Sequence, residues 1–119
     1  MDAPQRNDAD ALRAVAVAIT SAYTGVPTEL IMGKTRGLKE HAEARHVAAY
    51  LVHCVFGLTL TETGRVFGRD RCSIRHGVAL VEDRRDDPIF DALVVALETQ
   101  AVRAAAAALP PTAQPRDRA

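Results

Sequence analysis

At 119 residues, with 48% apolar and 25% charged side chains, the chain has the make-up of one soluble globular domain, and its formal net charge of zero gives no general pull toward polyanions. No apolar run nears the roughly 18 residues of a membrane span, and the polar, acidic start Met1-Asp2-Ala3-Pro4-Gln5 does not read as a secretory signal. Aromatics at 4%, no Trp and abundant Ala favour helix over sheet, while Cys54 and Cys72 form no CxxC pair and read as reduced thiols of a cytoplasmic protein.

Residues 1–9 read as a flexible N-terminus, and a first helix is expected to start at Asp8 or Asp10, either of which can cap free amides. Leu12, Val15, Ala16, Ile19, Ala22 and Tyr23 recur at steps of three and four and form one apolar stripe. Gly25-Val26-Pro27 ends that helix; Thr28 caps a short one from Glu29 to Met32, which stops at Gly33. A basic loop follows, Gly33-Lys34-Thr35-Arg36-Gly37. The third helix is predicted from about Lys39 to Phe56, closed by Gly57, with a core stripe of Ala44, Val47, Ala48, Leu51 and Val55 that leaves Arg45, His46 and His53 off the core.

Thr59-Leu60-Thr61-Glu62 has the S/T-x-x-E form of a capping box, so a helix starts there and ends at Phe67-Gly68. Asp70 caps the next helix, Arg71 to about Arg84, whose inner face is Ile74, Val78 and Val81. Two short helices joined by a tight glycine turn, the second rich in outward polar residues, make a helix-turn-helix. Asp86-Asp87-Pro88 opens a last helix with Ile89, Leu93, Leu97 and Ala101 toward the core, extended through the alanines 104–108. Residues 10–108 thus form the domain, and the Pro-rich tail 109–119 reads as disordered.

Charge is unevenly spread along this plan. Between Lys34 and Arg85 there are ten Lys or Arg against six Asp or Glu, while both flanking segments are net acidic. A phosphate backbone responds to local charge, so the middle is compatible with DNA despite the neutral sum.

Residues 11 to about 98 resemble the C-terminal DNA-binding domain of the bacterial replication initiator DnaA. That family's loop S-K-R-R and helix motif A-R-Q-x-A-x-x-L are similar to Gly33-Lys34-Thr35-Arg36 and Ala44-Arg45-His46-Val47-Ala48-Ala49-Tyr50-Leu51. Its S-L-P-E-I-G-x-x-F-G is similar to Thr59-Leu60-Thr61-Glu62-Thr63-Gly64-Arg65-Val66-Phe67-Gly68. Its G-R-D-H-T-T-V-x-H-A is similar to Gly68-Arg69-Asp70-Arg71-Cys72-Ser73-Ile74-Arg75-His76-Gly77. The resemblance implies an all-α fold of about six helices, of the Trp-repressor-like type shared by that domain. It gives the chain the standing of a DnaA-related protein without the initiator's ATPase module. Gly33-Lys34-Thr35 looks like the end of a phosphate-binding loop, but Thr28 stands where that motif needs Gly, so no nucleotide is expected.

The resemblance also assigns roles. Arg36 enters the minor groove, with Lys34 as its competitor because one residue is inserted between Arg36 and Arg45 relative to the family. Arg45 approaches DNA from the third helix, set against the plainer role of pairing with a nearby acid on its own helix. His46 and His53 stand at phosphate-contacting positions, and Leu60 and Thr61 offer backbone amides to phosphate. Asp70, Arg71, Cys72 and Ser73 occupy the base-reading block, flanked by Arg69 and by Arg75, which adds charge. Arg71 replaces the usual His and can fork onto guanine, Cys72 offers a small apolar surface to a thymine methyl, and Asp70 doubles as helix cap. The block departs from the family at three of four places and the turn has one glycine where the family has two, so the fold carries over and the initiator's own target sequence does not.

Two functions follow. The first is sequence-selective binding of double-stranded DNA in control of replication initiation or transcription, in the cytoplasm at the nucleoid. The second is a regulator that binds the replication initiator or its regulators, with little DNA binding. His41, His46, His53, His76 and the two thiols form no acid–base, nucleophile or metal-ligand pattern, so neither catalysis, cofactor nor metal is expected.

Overall fold

The computed structural model describes residues 6–34 and 37–108; Arg36, the first five residues and the tail 109–119 lie outside them. The described residues form six α-helices and no strand, in the expected order: α1 (Arg6–Thr24), α2 (Thr28–Ile31), α3 (Lys39–Tyr50), α4 (Leu60–Phe67), α5 (Arg71–Arg84) and α6 (Pro88–Ala108). A π-helical turn, Leu51–Val55, runs on from α3. None of these helices is long and apolar enough to cross a membrane.

The axis of the fold is α3, against which α1, α2 and α5 all pack, with α6 packing on the π-helical turn. Burial on several sides explains why its apolar surface exceeds one stripe: Ala49, Tyr50 and Val52 are buried along with Ala44, Val47, Ala48 and Leu51. At the end of the π-helical turn the Phe56 amide donates to the Leu51 carbonyl at 3.0 Å. That bond spans one residue more than the α pattern and loosens the helix before the chain turns at Gly57, where φ is +78°.

Three sequence expectations shift. Helix α1 starts at Arg6, ahead of Asp8 and Asp10, because its first turn already buries Ala9 against the core. Its buried face is Ala9, Leu12, Ala16, Val17 and Thr20, which rotates Tyr23 outward to 44% exposure. In α6, Ile89 is 84% exposed, since Phe90 takes the inward position and neighbouring helix residues lie about 100° apart. From Phe90 the inward row runs through Val94, Leu97, Ala101 and Ala105.

The two helices that matter most begin as their sequences require. The Thr59 hydroxyl accepts from the Glu62 amide at 3.0 Å while the Glu62 carboxylate accepts from the Thr59 amide at 3.1 Å, closing the capping box of α4. Asp70 caps α5 by accepting from the Ser73 amide at 2.8 Å. Between them Gly68 is left-handed, at φ +66°, and the Arg69 amide donates to the Gly64 carbonyl at 2.9 Å. A single glycine therefore suffices to turn the chain between the two helices.

At its far end α5 is tied to α6. The Arg85 guanidinium donates to Asp91, to Glu98 at 3.1 Å and to the Tyr50 hydroxyl at 3.0 Å. Burial pushes the Tyr50 phenol above its ordinary range. Partial desolvation works against the charge on Arg85, but its hydrogen bonds to Asp91 and Tyr50 outweigh this and hold the guanidinium protonated more firmly than usual.

Candidate nucleic-acid interface

The start of α5 projects from the body of the domain. Ile74, Gly77, Val78 and Val81 face inward, so Asp70, Arg71, Cys72, Ser73 and Arg75 fall on the outer side, and all five are exposed. Among the described residues neither Arg71 nor Arg75 enters an ion pair. Two positive charges at the first turns of this helix thus stay open to a partner. His76 shares the exposed side, although its position in the sequence pattern did not single it out.

The start of α4 adds donors rather than charge. Its capping box engages the amides of Thr59 and Glu62, and no described acceptor meets those of Leu60 and Thr61. These two N–H groups sit at the positive end of a helix, where a phosphate oxygen is well received.

Lys34 is exposed, and the backbone that carries it meets the turn of the helix-turn-helix. The Arg69 guanidinium, half-buried, donates through one terminal nitrogen to the Gly33 carbonyl at 2.7 Å and through the other to the Lys34 carbonyl at 2.8 Å. The basic loop and the head of α5 are therefore neighbours, although more than thirty residues separate them in sequence. Arg36 belongs to that loop but lies outside the described residues.

Arg45 is where the structure departs furthest from the sequence reading. Its place off the α3 stripe suggests a free surface cation; instead the residue is only 7% exposed. Its Nε donates to the Ile31 carbonyl at 2.8 Å and its Nη2 to the Leu30 carbonyl at 3.1 Å. The short α2 lies against this side of α3 and the Ile31 carbonyl at its end takes a donor from there, while the Leu30 carbonyl also accepts from the Gly33 amide at 3.3 Å. Burial, with the charge of Arg69 nearby, pulls the Arg45 guanidinium below its ordinary value.

The two histidines are also engaged within the fold. The ring of His46 lies so close to α5 that a Cβ at Gly77 would come within 2.7 Å of its Cδ2. The Nδ1 of His53 lies 2.7 Å from the Leu58 carbonyl, which makes it the donating nitrogen and ties the π-helical turn to the approach to α4. Both side chains are only partly exposed.

Sequence reasoning missed one structural glycine of the site. A Cβ at Gly64 would collide with the Arg69 carbonyl oxygen, so α4 and the turn approach as closely as they do only because this position has no side chain. The signal was present: a glycine inside a well-capped helix usually marks a close approach of backbone. Among the described residues no group of three His, Cys, Asp or Glu is placed to hold a metal.

Comparison with known proteins bears on this geometry. The family model described as the bacterial dnaA protein helix-turn-helix matches residues 15–81, which cover the latter half of α1, then α2, the loop, α3, the π-helical turn, α4 and most of α5. The chain is 34% identical over 92 residues, 76% of its length, to the chromosomal replication initiator protein DnaA of Deinococcus radiodurans. It spans only 18% of that relative's length.

Proposed function

The chain belongs to the bacterial DnaA helix-turn-helix family, and from that premise we propose that it binds double-stranded DNA with sequence preference and regulates chromosome replication initiation or transcription. The observation that carries the reading is the exposed head of α5, where Arg71 and Arg75 stand open beside a cationic loop held against the same turn. In this reading α5 lies in the major groove. Arg71 forks onto a guanine, Ser73 reaches a base or phosphate, and Cys72 packs on a thymine methyl. Arg36, or Lys34 in its place, enters the adjoining minor groove, and the free amides of Leu60 and Thr61 hold a phosphate. Asp70 keeps its capping role while its second oxygen accepts from a cytosine amino group.

The proposed role is binding alone, without catalysis, cofactor or nucleotide, in the cytoplasm at the nucleoid. The departures from the family at Arg71, Cys72 and Ser73 suggest a target other than the initiator's own sites. Selection of bound fragments from the organism's genome tests this directly. Enrichment of duplexes sharing one short sequence is the expected result. Retention of no duplex above background, with capture of the replication initiator in its place, would reject DNA binding and favour a regulator that acts through protein contact.

A further inference from the structure

We infer that Arg69 is a positioning residue, a latch that locks the basic loop to the head of the recognition helix so that both grooves are engaged by one rigid unit. The inference rests on the DNA-binding reading above and adds to it the device that sets the distance between the two contact elements.

Four observations carry it. The guanidinium bridges two successive backbone carbonyls, Gly33 and Lys34, through separate nitrogens at 2.7 and 2.8 Å. A planar fork with parallel N–H groups suits this task, and a lysine ammonium does not span two carbonyls in the same way. The latch residue is itself immobilised, since its amide donates to the Gly64 carbonyl at 2.9 Å and its own carbonyl presses on the bare Cα of Gly64. Asp70, the cap of α5, follows it directly, so any movement of Arg69 moves the start of that helix.

Arg45 anchors the same segment from the other side by donating to the Leu30 and Ile31 carbonyls. Two arginines, one on α3 and one in the turn between α4 and α5, therefore hold four carbonyls of residues 30–34 between them. The stretch leading to Lys34 is fixed at both its α2 end and its turn end. Arg69 then faces the loop backbone with its donors and does not aim them at a phosphate. Its effect on DNA passes through Lys34 and the loop it holds.

The test uses the full chain, with Arg69→Ala and Arg69→Lys each made alone and combined with Lys34→Ala. In the free protein, amide hydrogen exchange at Gly33 is compared with that at Leu51 in the core. The loss of two hydrogen bonds should speed Gly33 exchange about tenfold in both Arg69 variants while Leu51 keeps pace with the wild type. For DNA affinity, Lys34→Ala should weaken the wild type but have little further effect in the Arg69→Ala background, a coupling of about three- to thirtyfold.

A direct phosphate contact predicts otherwise: Arg69→Lys would retain affinity, and the losses from Arg69→Ala and Lys34→Ala would multiply independently. Either result, or unchanged Gly33 exchange, would overturn the latch. If the wild type bound no duplex at all, the DNA reading would fall, and the exchange measurement would still decide whether Arg69 holds the loop.

Discussion

Arg45, Arg69, Arg71 and Arg75 share one side chain and divide into two trades. The first two bond backbone carbonyls inside the molecule; the last two stand exposed on α5. What separates them is the neighbouring backbone. A short helix followed by a loop offers carbonyls without intrahelical donors, and the nearest guanidinium takes them. Arg45→Ala should therefore act first on stability. Stripping the buried Ile31 carbonyl of its donor, and the Leu30 carbonyl of one of its donors, is expected to cost about 1–3 kcal/mol by chemical denaturation; a loss of DNA affinity with unaltered stability would contradict this role. Gly64→Ala should displace Arg69, since the new methyl meets its carbonyl. A drop in melting temperature accompanied by faster exchange at Gly33 is the expected outcome, and a fully wild-type variant would show that α4 and the turn have slack.

At the level of elements, the helix boundaries with chemical punctuation were readable. Thr59 with Glu62, Asp70, and the turn glycine Gly68 each perform the job their residue type suggests. Thr59→Ala should cost about 1 kcal/mol of stability through the lost cap, read from an equilibrium unfolding curve, and no change would place the start of α4 under other control. Phe67 closes α4 at 5% exposure, so Phe67→Ala should cost about 3–5 kcal/mol. A variant melting like the wild type would contradict that burial.

Periodicity gave less where a helix is covered from several directions. The pattern marks a single face, and α3 buries more than one because α1, α2 and α5 converge on it. That is why Arg45 reads as peripheral in sequence and is enclosed in the fold. The outward set of α5 was legible for the opposite reason: this helix has one covered face, and its inner residues Ile74, Val78 and Val81 recur at clean helical steps. The contact of Arg69 with residues 33 and 34 had no local trace, since it joins segments far apart in the chain.

For the molecule as a whole, net charge is a poor guide because acidic ends offset a basic middle. The geometry concentrates what matters: exposed Arg71 and Arg75, exposed Lys34, and two helix-start amides. Exposed cations bind phosphate by releasing counterions, so the account predicts binding that weakens steeply as salt rises. The most direct test is a salt titration of duplex binding by the wild type and by the Arg71→Ala, Arg75→Ala double variant. Both side chains are exposed, so the variant should melt like its parent. It should bind more than about tenfold more weakly, with a salt slope shallower by roughly 1–2. Equal affinity and equal slope in the two proteins would remove α5 from the DNA interface.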